Sequence, residues 1–198
     1  MSDEPSAGGA RLNPRTRRVR EVILRAAVEI LLECGAREVT AANVAERADV
    51  ARTTIYRHWP DQQTLLLATI DELTASHVPT PTVGQLDEDV RTVLRLLRKR
   101  LVTHDVVSVH GALAAYAAVD NAFAEGQRRF LEHLARPTAD VLALAKERGA
   151  LGADFDCASE AMLLAGPILH QHLSLHGEIT DDLIDEVSRR WLAAHGVG

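Results

Sequence analysis

The chain has 198 residues, 46% hydrophobic and 25% charged, with a formal net charge of −6. That is ordinary globular composition, with enough chain for one domain of good core size or two small ones. No apolar run approaches the roughly 18 residues a membrane span needs, the opening MSDEPSAGGARLNPRTRR lacks the apolar stretch of a secretory signal, and Cys34 and Cys157, far apart and without a CxxC spacing, fit reduced cytoplasmic thiols better than a disulfide framework.

Residues 1–13, rich in Gly, Pro and Ser, are expected to form a disordered arm. Five arginines between Arg11 and Arg20, with no acid among them, make a basic cluster. Val19, Val22, Ile23, Ala26, Ala27, Ile30 and Leu31 recur at three- and four-residue spacing, which predicts an amphipathic helix from Pro14 or Arg15 to Cys34, stopped by Gly35. Thr40 is a candidate N-cap for a short helix with Val44, Ala45 and Ala48 on one face. The pattern breaks at Asp49-Val50-Ala51 and resumes with Ile55 and Trp59 four apart on the buried side of a second short helix. A connector helix follows over Gln63–Ser76, after a Pro60-Asp61 start signal. The two prolines of Pro79–Gly84 then impose a loop.

Beyond that loop Asp87 is expected to cap a helix to about Thr103, and Val106–Ala118 reads as a small-residue helix. Asn121–Glu147 is a long helical pattern in which Pro137 is expected to cause a kink or restart. Asp156 should cap a helix to His176, and Thr180 should open the last one, containing Leu183, Ile184, Val187, Trp191 and Leu192. No alternation demands a strand. The expected fold is all-α, about nine helices, with a three-helix unit at residues 14–62 and a larger helical unit at 63–198.

Two short helices joined by a three- to four-residue turn make a helix-turn-helix, whose second helix enters the DNA major groove with its N-terminal residues on base edges. Arg52 can take guanine O6 and N7 bidentately, and Thr53 offers both a hydroxyl and a methyl group. Tyr56 suits either a thymine methyl or a phosphate. Thr40, Thr54, Arg57 and His58 suit the DNA backbone, joined by the basic cluster with Arg15, Arg17 and Arg18. The net charge splits accordingly: residues 1–65 carry ten arginines against nine acids, and residues 66–198 carry twelve basic residues against nineteen acids.

The residues from Arg17 to Leu66 resemble the DNA-binding domain of the TetR family of bacterial transcriptional regulators. The resemblance rests on Gly35, Thr40, Val44-Ala45, the turn Asp49-Val50-Ala51, the run Thr54-Ile55-Tyr56-Arg57-His58-Trp59, and Leu65-Leu66-Leu67. Ala51 stands where the family usually has Ser, Thr53 where a small residue is common, Asp49 where Gly is favoured, and Gln62 where many members place a phosphate-contacting Lys. Leu164-Ala165-Gly166-Pro167 followed by Gly177 resembles the C-terminal half of an actinobacterial-type subgroup. The resemblance implies a homodimer on a palindromic double-stranded DNA operator. It also implies repression relieved by a small-molecule effector that binds within residues 85–176 and moves the connector helix. Leu163, Leu164, Ile168, Leu183, Val187 and Trp191 are then the candidate dimer interface.

Tyr116, Phe123, Gln127, Phe130 and His133 are candidates for a ligand cavity, although aromatic residues at helical spacing equally make ordinary core. His170 joins them as a candidate for a pocket wall or a subunit interface, with His172 and His176 four apart nearby. Zinc needs three or four convergent ligands and no acid sits at the adjoining turn, so neither a metal nor a cofactor is expected. Cys157 lies in a first helical turn, but Asp154 and Asp156 oppose activation of its thiol. No GxSxG, HExxH, Walker loop or GxGxxG is present, so catalysis is not expected and no catalytic residue is named. The competing readings are a ligand-independent helical DNA-binding or interaction protein, or an enzyme.

Overall fold

The computed structural model describes residues 14–75 and 82–196, with side chains from Thr16 onward. The expected arm at residues 1–13, the Arg15 side chain, Ser76 and residues 77–81 lie outside the described residues. Among the described residues the chain forms α1 (Pro14–Cys34), a 3-10 turn (Ala36–Glu38), α2 (Ala41–Arg47), α3 (Arg52–His58), α4 (Gln62–Ala75), α5 (Leu86–Thr103), α6 (Val106–Ala117), α7 (Asn121–Glu147), α8 (Cys157–Leu173) and α9 (Asp181–Ala194), with no strand. None of these helices is long and apolar enough to cross a membrane.

The apolar stripe of α1 (Ile23, Leu24, Ala27, Ile30 and Leu31) is buried against α2 and α4. The start signal at Pro60-Asp61 works through the Asp61 carboxylate, which accepts the Thr64 N–H at 2.8 Å and so satisfies one free donor of α4. α4 also packs on α7, the longest helix, which touches α5, α6 and α8 as well. The core runs continuously from Ile23 through Phe130 to Leu192. α7 passes through Pro137 without restarting. Proline's fixed φ is compatible with a helix, and its missing N–H removes one bond to the carbonyl four residues earlier.

Two boundaries differ from the sequence expectation. Asp87 does not cap α5: the cap position is Gln85, which makes no side-chain cap bond. Asp89, 5% exposed, instead accepts the Val83 N–H at 2.6 Å and the Gly84 N–H at 3.1 Å. α8 ends at Leu173, not His176, because the chain turns at Ser174, with Leu175 N–H bonded to His170 O at 3.2 Å and His176 at φ +50°.

The end of α1 and the start of α6 meet at Gly35. Its φ is +89°, and an added Cβ would lie 2.4 Å from Asp105 Oδ2 and 2.8 Å from Ser108 Oγ at the start of α6. The Ala36 N–H donates to Ser108 Oγ at 3.2 Å, and the Asp105 N–H to Leu32 O at 3.4 Å. Only glycine allows both the backbone conformation and this approach.

Candidate nucleic-acid interface and effector cavities

The helix-turn-helix is assembled from local bonds and a small apolar centre. Thr40 Oγ1 accepts the Asn43 N–H at 3.2 Å, so Thr40 caps α2 as its position suggested. At the other end Asp49 has φ +53°, Val50 N–H reaches Ala45 O at 3.0 Å, and Asp49 N–H reaches Glu46 O at 3.3 Å. Those paired bonds form a Schellman ending, with Asp49 in the left-handed position that glycine usually takes. Ala51 opens α3 without a side-chain cap. Ile55 is fully buried and Trp59 is 4% exposed, so both belong to the domain core. The Arg20 guanidinium lies 5.2 Å from the Trp59 ring centroid, which places one member of the basic cluster in the scaffold as a cation–π partner.

The opposite face of α3 is open. Arg52, Thr53, Tyr56 and Arg57 are exposed, and none of the four has an ion pair or side-chain hydrogen bond among the described residues. Thr54 is half-buried. His58 is also half-buried, with its Nε2 sealed inside and unpartnered, so any DNA contact from it belongs to Nδ1. Thr40 keeps a hydroxyl proton to donate while its oxygen serves the cap. Gln62 Nε2 donates to Arg37 O at 3.2 Å, which ties the start of α4 to the turn after α1. Arg17 and Arg18 are exposed, Arg17 lying 3.7 Å from Glu21. Arg47 bonds Glu33 at 3.1 Å and Glu29 at 3.5 Å, so it braces α2 against α1; its bond to Glu33 raises its affinity for its proton above the usual arginine range.

The six candidate cavity residues do not converge. Phe123 and Phe130, 1% and 2% exposed, are core, and Tyr116 leans on Phe123 with ring centroids 4.8 Å apart. Gln127 Nε2 lies 3.3 Å from the ring of His110, whose protonation burial disfavours. His133 Nε2 accepts from Arg100 at 3.1 Å, because a guanidinium can only donate. His170 stands exposed on the outer face of α8. His133 lines a cavity of about 490 Å³ between α4, α7 and α8. Tyr116 lines another, of about 900 Å³, between the end of α1, the start of α4 and α6. A third, of about 910 Å³, lies between α5 and the end of α8, where it takes in His172 and His176. Among the described residues no group of three His, Cys, Asp or Glu side chains is placed to hold a metal ion.

The sequence reading missed Arg129 and Arg136 on the cavity wall of α7. A signal was available: Arg129, Glu132, His133 and Arg136 recur at i, i+3, i+4 and i+7, a polar stripe on one face of a helix that also carries core residues.

The candidate dimer face also divides. Leu164 and Ile168 are fully buried and Trp191 is 7% exposed, with its Nε1 donating to Glu160 at 2.8 Å. These three lie within the protomer: α8 packs against α5, α6, α7 and α9 with Leu164 and Ile168 inward, and Trp191 of α9 packs against Phe155. Leu163 is 64% exposed and Met162 36%, with exposed Pro167 and His170 one and two turns further along. Leu183 and Val187 are half-buried on α9.

The model for the tetR family of bacterial regulatory proteins matches residues 23–69, and that for a tetracyclin repressor-like C-terminal domain matches residues 80–190. The uncharacterized HTH-type transcriptional regulator YdeS of Bacillus subtilis is 26% identical over 175 residues, 88% of each chain. The HTH-type transcriptional regulator AqdR of Rhodococcus erythropolis is 25% identical over 166 residues, 82% of this chain and 78% of that one. Among solved structures, the TetR family transcription regulator SCO0332 superposes with a TM-score of 0.70 at 24% identity, covering 89% of this chain and 97% of that one. A TetR transcriptional regulator from Agrobacterium tumefaciens gives 0.58 at 17% identity, covering 93% and 95%. At these identities the structural likeness shows the fold.

Proposed function

The chain belongs to the TetR family of bacterial transcriptional regulators and is a DNA-binding regulator, and from that premise we propose that it works as a homodimeric repressor released from its operator by a small molecule. The observation that carries the DNA-reading part is the open face of α3, where Arg52, Thr53, Tyr56 and Arg57 stand exposed. Residues 14–62 read DNA, with Arg52 and Thr53 on base edges and Arg57, Thr40 and Thr54 on phosphates. Arg17 and Arg18 add backbone attraction from α1. Residues 63–198 hold the effector and the partner protomer.

The outer face of α8 from Leu163 through Pro167 to His170, together with Leu183 and Val187 of α9, is the proposed dimer surface. A two-fold there sets two recognition helices to half-sites about 34–36 Å apart on one side of the duplex. The effector acts through α4, which touches both α1 and α7. It must bind better at one separation of the recognition helices than at another, since equal affinity for both shifts nothing. Sedimentation of the full chain with a selected operator duplex tests the assembly, two protomers per duplex being expected and one contradicting it. Transcription in vitro from a promoter overlapping that operator should fall as protein is added, and a rise would overturn repression.

A further inference from the structure

The cavity between α4, α7 and α8 has a volume of about 490 Å³, within the size range of small-molecule sites. Its apolar wall is made of small or flexible side chains, including Ala135, Ala139, Ala161 and Met162. Its charged wall is mostly cationic. Glu132, the one carboxylate on that wall, is ion-paired to Arg128. Arg136 has no carboxylate partner among the described residues, and neither does the half-buried Arg100, whose bond to His133 Nε2 puts it behind that imidazole. Burial disfavours the charged form of the Arg100 guanidinium, so nearby negative charge would relieve a cost the fold otherwise carries.

Arg129 connects this wall to the connector helix. Its Nη2 lies 2.6 Å from Asp71 of α4, and its Nη1 3.3 Å from Glu125 of its own helix. The Arg129 and Asp71 side chains are 34% and 57% exposed, so the pair contributes little net stability and is cheaply exchanged. Thr74, one turn beyond Asp71 on α4, lines the same cavity. One turn in the other direction the two helices are locked: a Cβ on Gly126 would lie 3.2 Å from Leu67 Cδ2. α4 is therefore packed tightly through Leu67 and the buried Ile70, and meets α7 at Asp71 through an exposed ion pair beside the cavity.

We infer that this cavity is a site for an organic monocarboxylate with an apolar body, whose carboxylate takes the Arg129 guanidinium from Asp71 and so releases the cavity end of α4. The inference rests on the reading of the chain as an effector-released regulator, and it names the effector's chemistry and the bond exchanged. A planar carboxylate fits the guanidinium fork bidentately, and Arg136 supplies further positive charge. An uncharged analogue of equal size cannot displace Asp71.

The test uses the full chain, a labelled operator duplex selected from random DNA, and octanoate and 4-phenylbutyrate as probes, each beside its primary amide. Calorimetry reads probe binding and fluorescence anisotropy reads DNA affinity, with melting curves checking that each variant folds. Both carboxylates should bind about tenfold or more tighter than the amides, as expected for a charge-assisted bond, and should lower DNA affinity. The variants Arg129→Gln and Asp71→Asn both break the ion pair, yet should move carboxylate binding in opposite directions. Arg129→Gln weakens it because the receptor is lost, and Asp71→Asn tightens it because the competitor is lost. A merely structural pair would shift both the same way. Equal binding of acids and amides, no carboxylate binding at millimolar concentration, or weakening by both variants overturns the inference while leaving DNA regulation intact. Failure of the wild-type chain to bind any duplex at low salt would instead remove the reading beneath it.

Discussion

Arg52 is the first residue of α3 and Arg57 lies in its last turn, so only Arg52 sits at the end expected to reach base edges. Arg52→Ala should cost about 1–3 kcal/mol on the cognate operator and relax preference at one base pair. Arg57→Ala should weaken binding to all duplexes alike and make the salt dependence shallower. Titrations on cognate and scrambled DNA at several salt concentrations separate the two, and equal losses on both DNAs for Arg52→Ala refute its assignment as a reader. Two neighbouring residues are suboptimal for stability. Asp49 occupies a left-handed conformation and Ala51 caps nothing. Asp49→Gly and Ala51→Ser should each stabilise the chain by about 0.5–1 kcal/mol. Thermal unfolding should show this as a rise of about 1–4 °C per substitution. A fall in midpoint for either would mean that these positions hold contacts beyond the turn itself.

Among the elements, α1 and α6 are joined closely at Gly35. Gly35→Ala places a methyl group against Asp105 Oδ2 and Ser108 Oγ while straining a positive φ. It should therefore destabilise by about 1–3 kcal/mol, and Ser108→Ala, which removes only the bond from Ala36 N–H, should cost less. Melting curves of the two variants check the order, which a larger loss for Ser108→Ala would reverse.

How much of this was legible in the sequence follows from how local each cause is. The Thr40 cap, the break at Asp49 and the buried pair Ile55 and Trp59 depend on residues within one or two turns, and these the pattern reveals. The end of α8 at Leu173 and the burial of Leu164, Ile168 and Trp191 depend on which helices surround α8 and α9. An apolar position is equally suited to a core or to an interface, so periodicity alone could not divide Leu163 from Leu164. The cavity escaped for the same reason: Arg129 and Arg136 look like a solvated stripe until α4 and α8 are packed beside them.

At the scale of the whole molecule, an acidic chain of net charge −6 must bind a polyanion. In the proposed DNA-binding segment the acids are partly engaged, Glu29 and Glu33 by Arg47 and Glu21 by Arg17. Among the described residues Arg52 and Arg57 of α3 have no ion pair. In the proposed homodimer the contact is made by the outer face of α8, where Leu163 is 64% exposed. Leu163→Arg should put a charge into the proposed dimer surface and yield a folded monomer. Sedimentation at micromolar concentration checks this, and an unchanged dimer would move the interface elsewhere.

The central claim is that α3 reads a defined operator as one of a two-fold pair, and selection of bound duplexes from a random pool by this chain tests it most directly. The predicted result is enrichment, at low salt, of a palindromic or near-palindromic sequence with half-site centres about one helical turn apart, and loss of preference at one position per half-site with Arg52→Ala. A pool that stays unenriched under those conditions, where phosphate attraction is strongest, contradicts it.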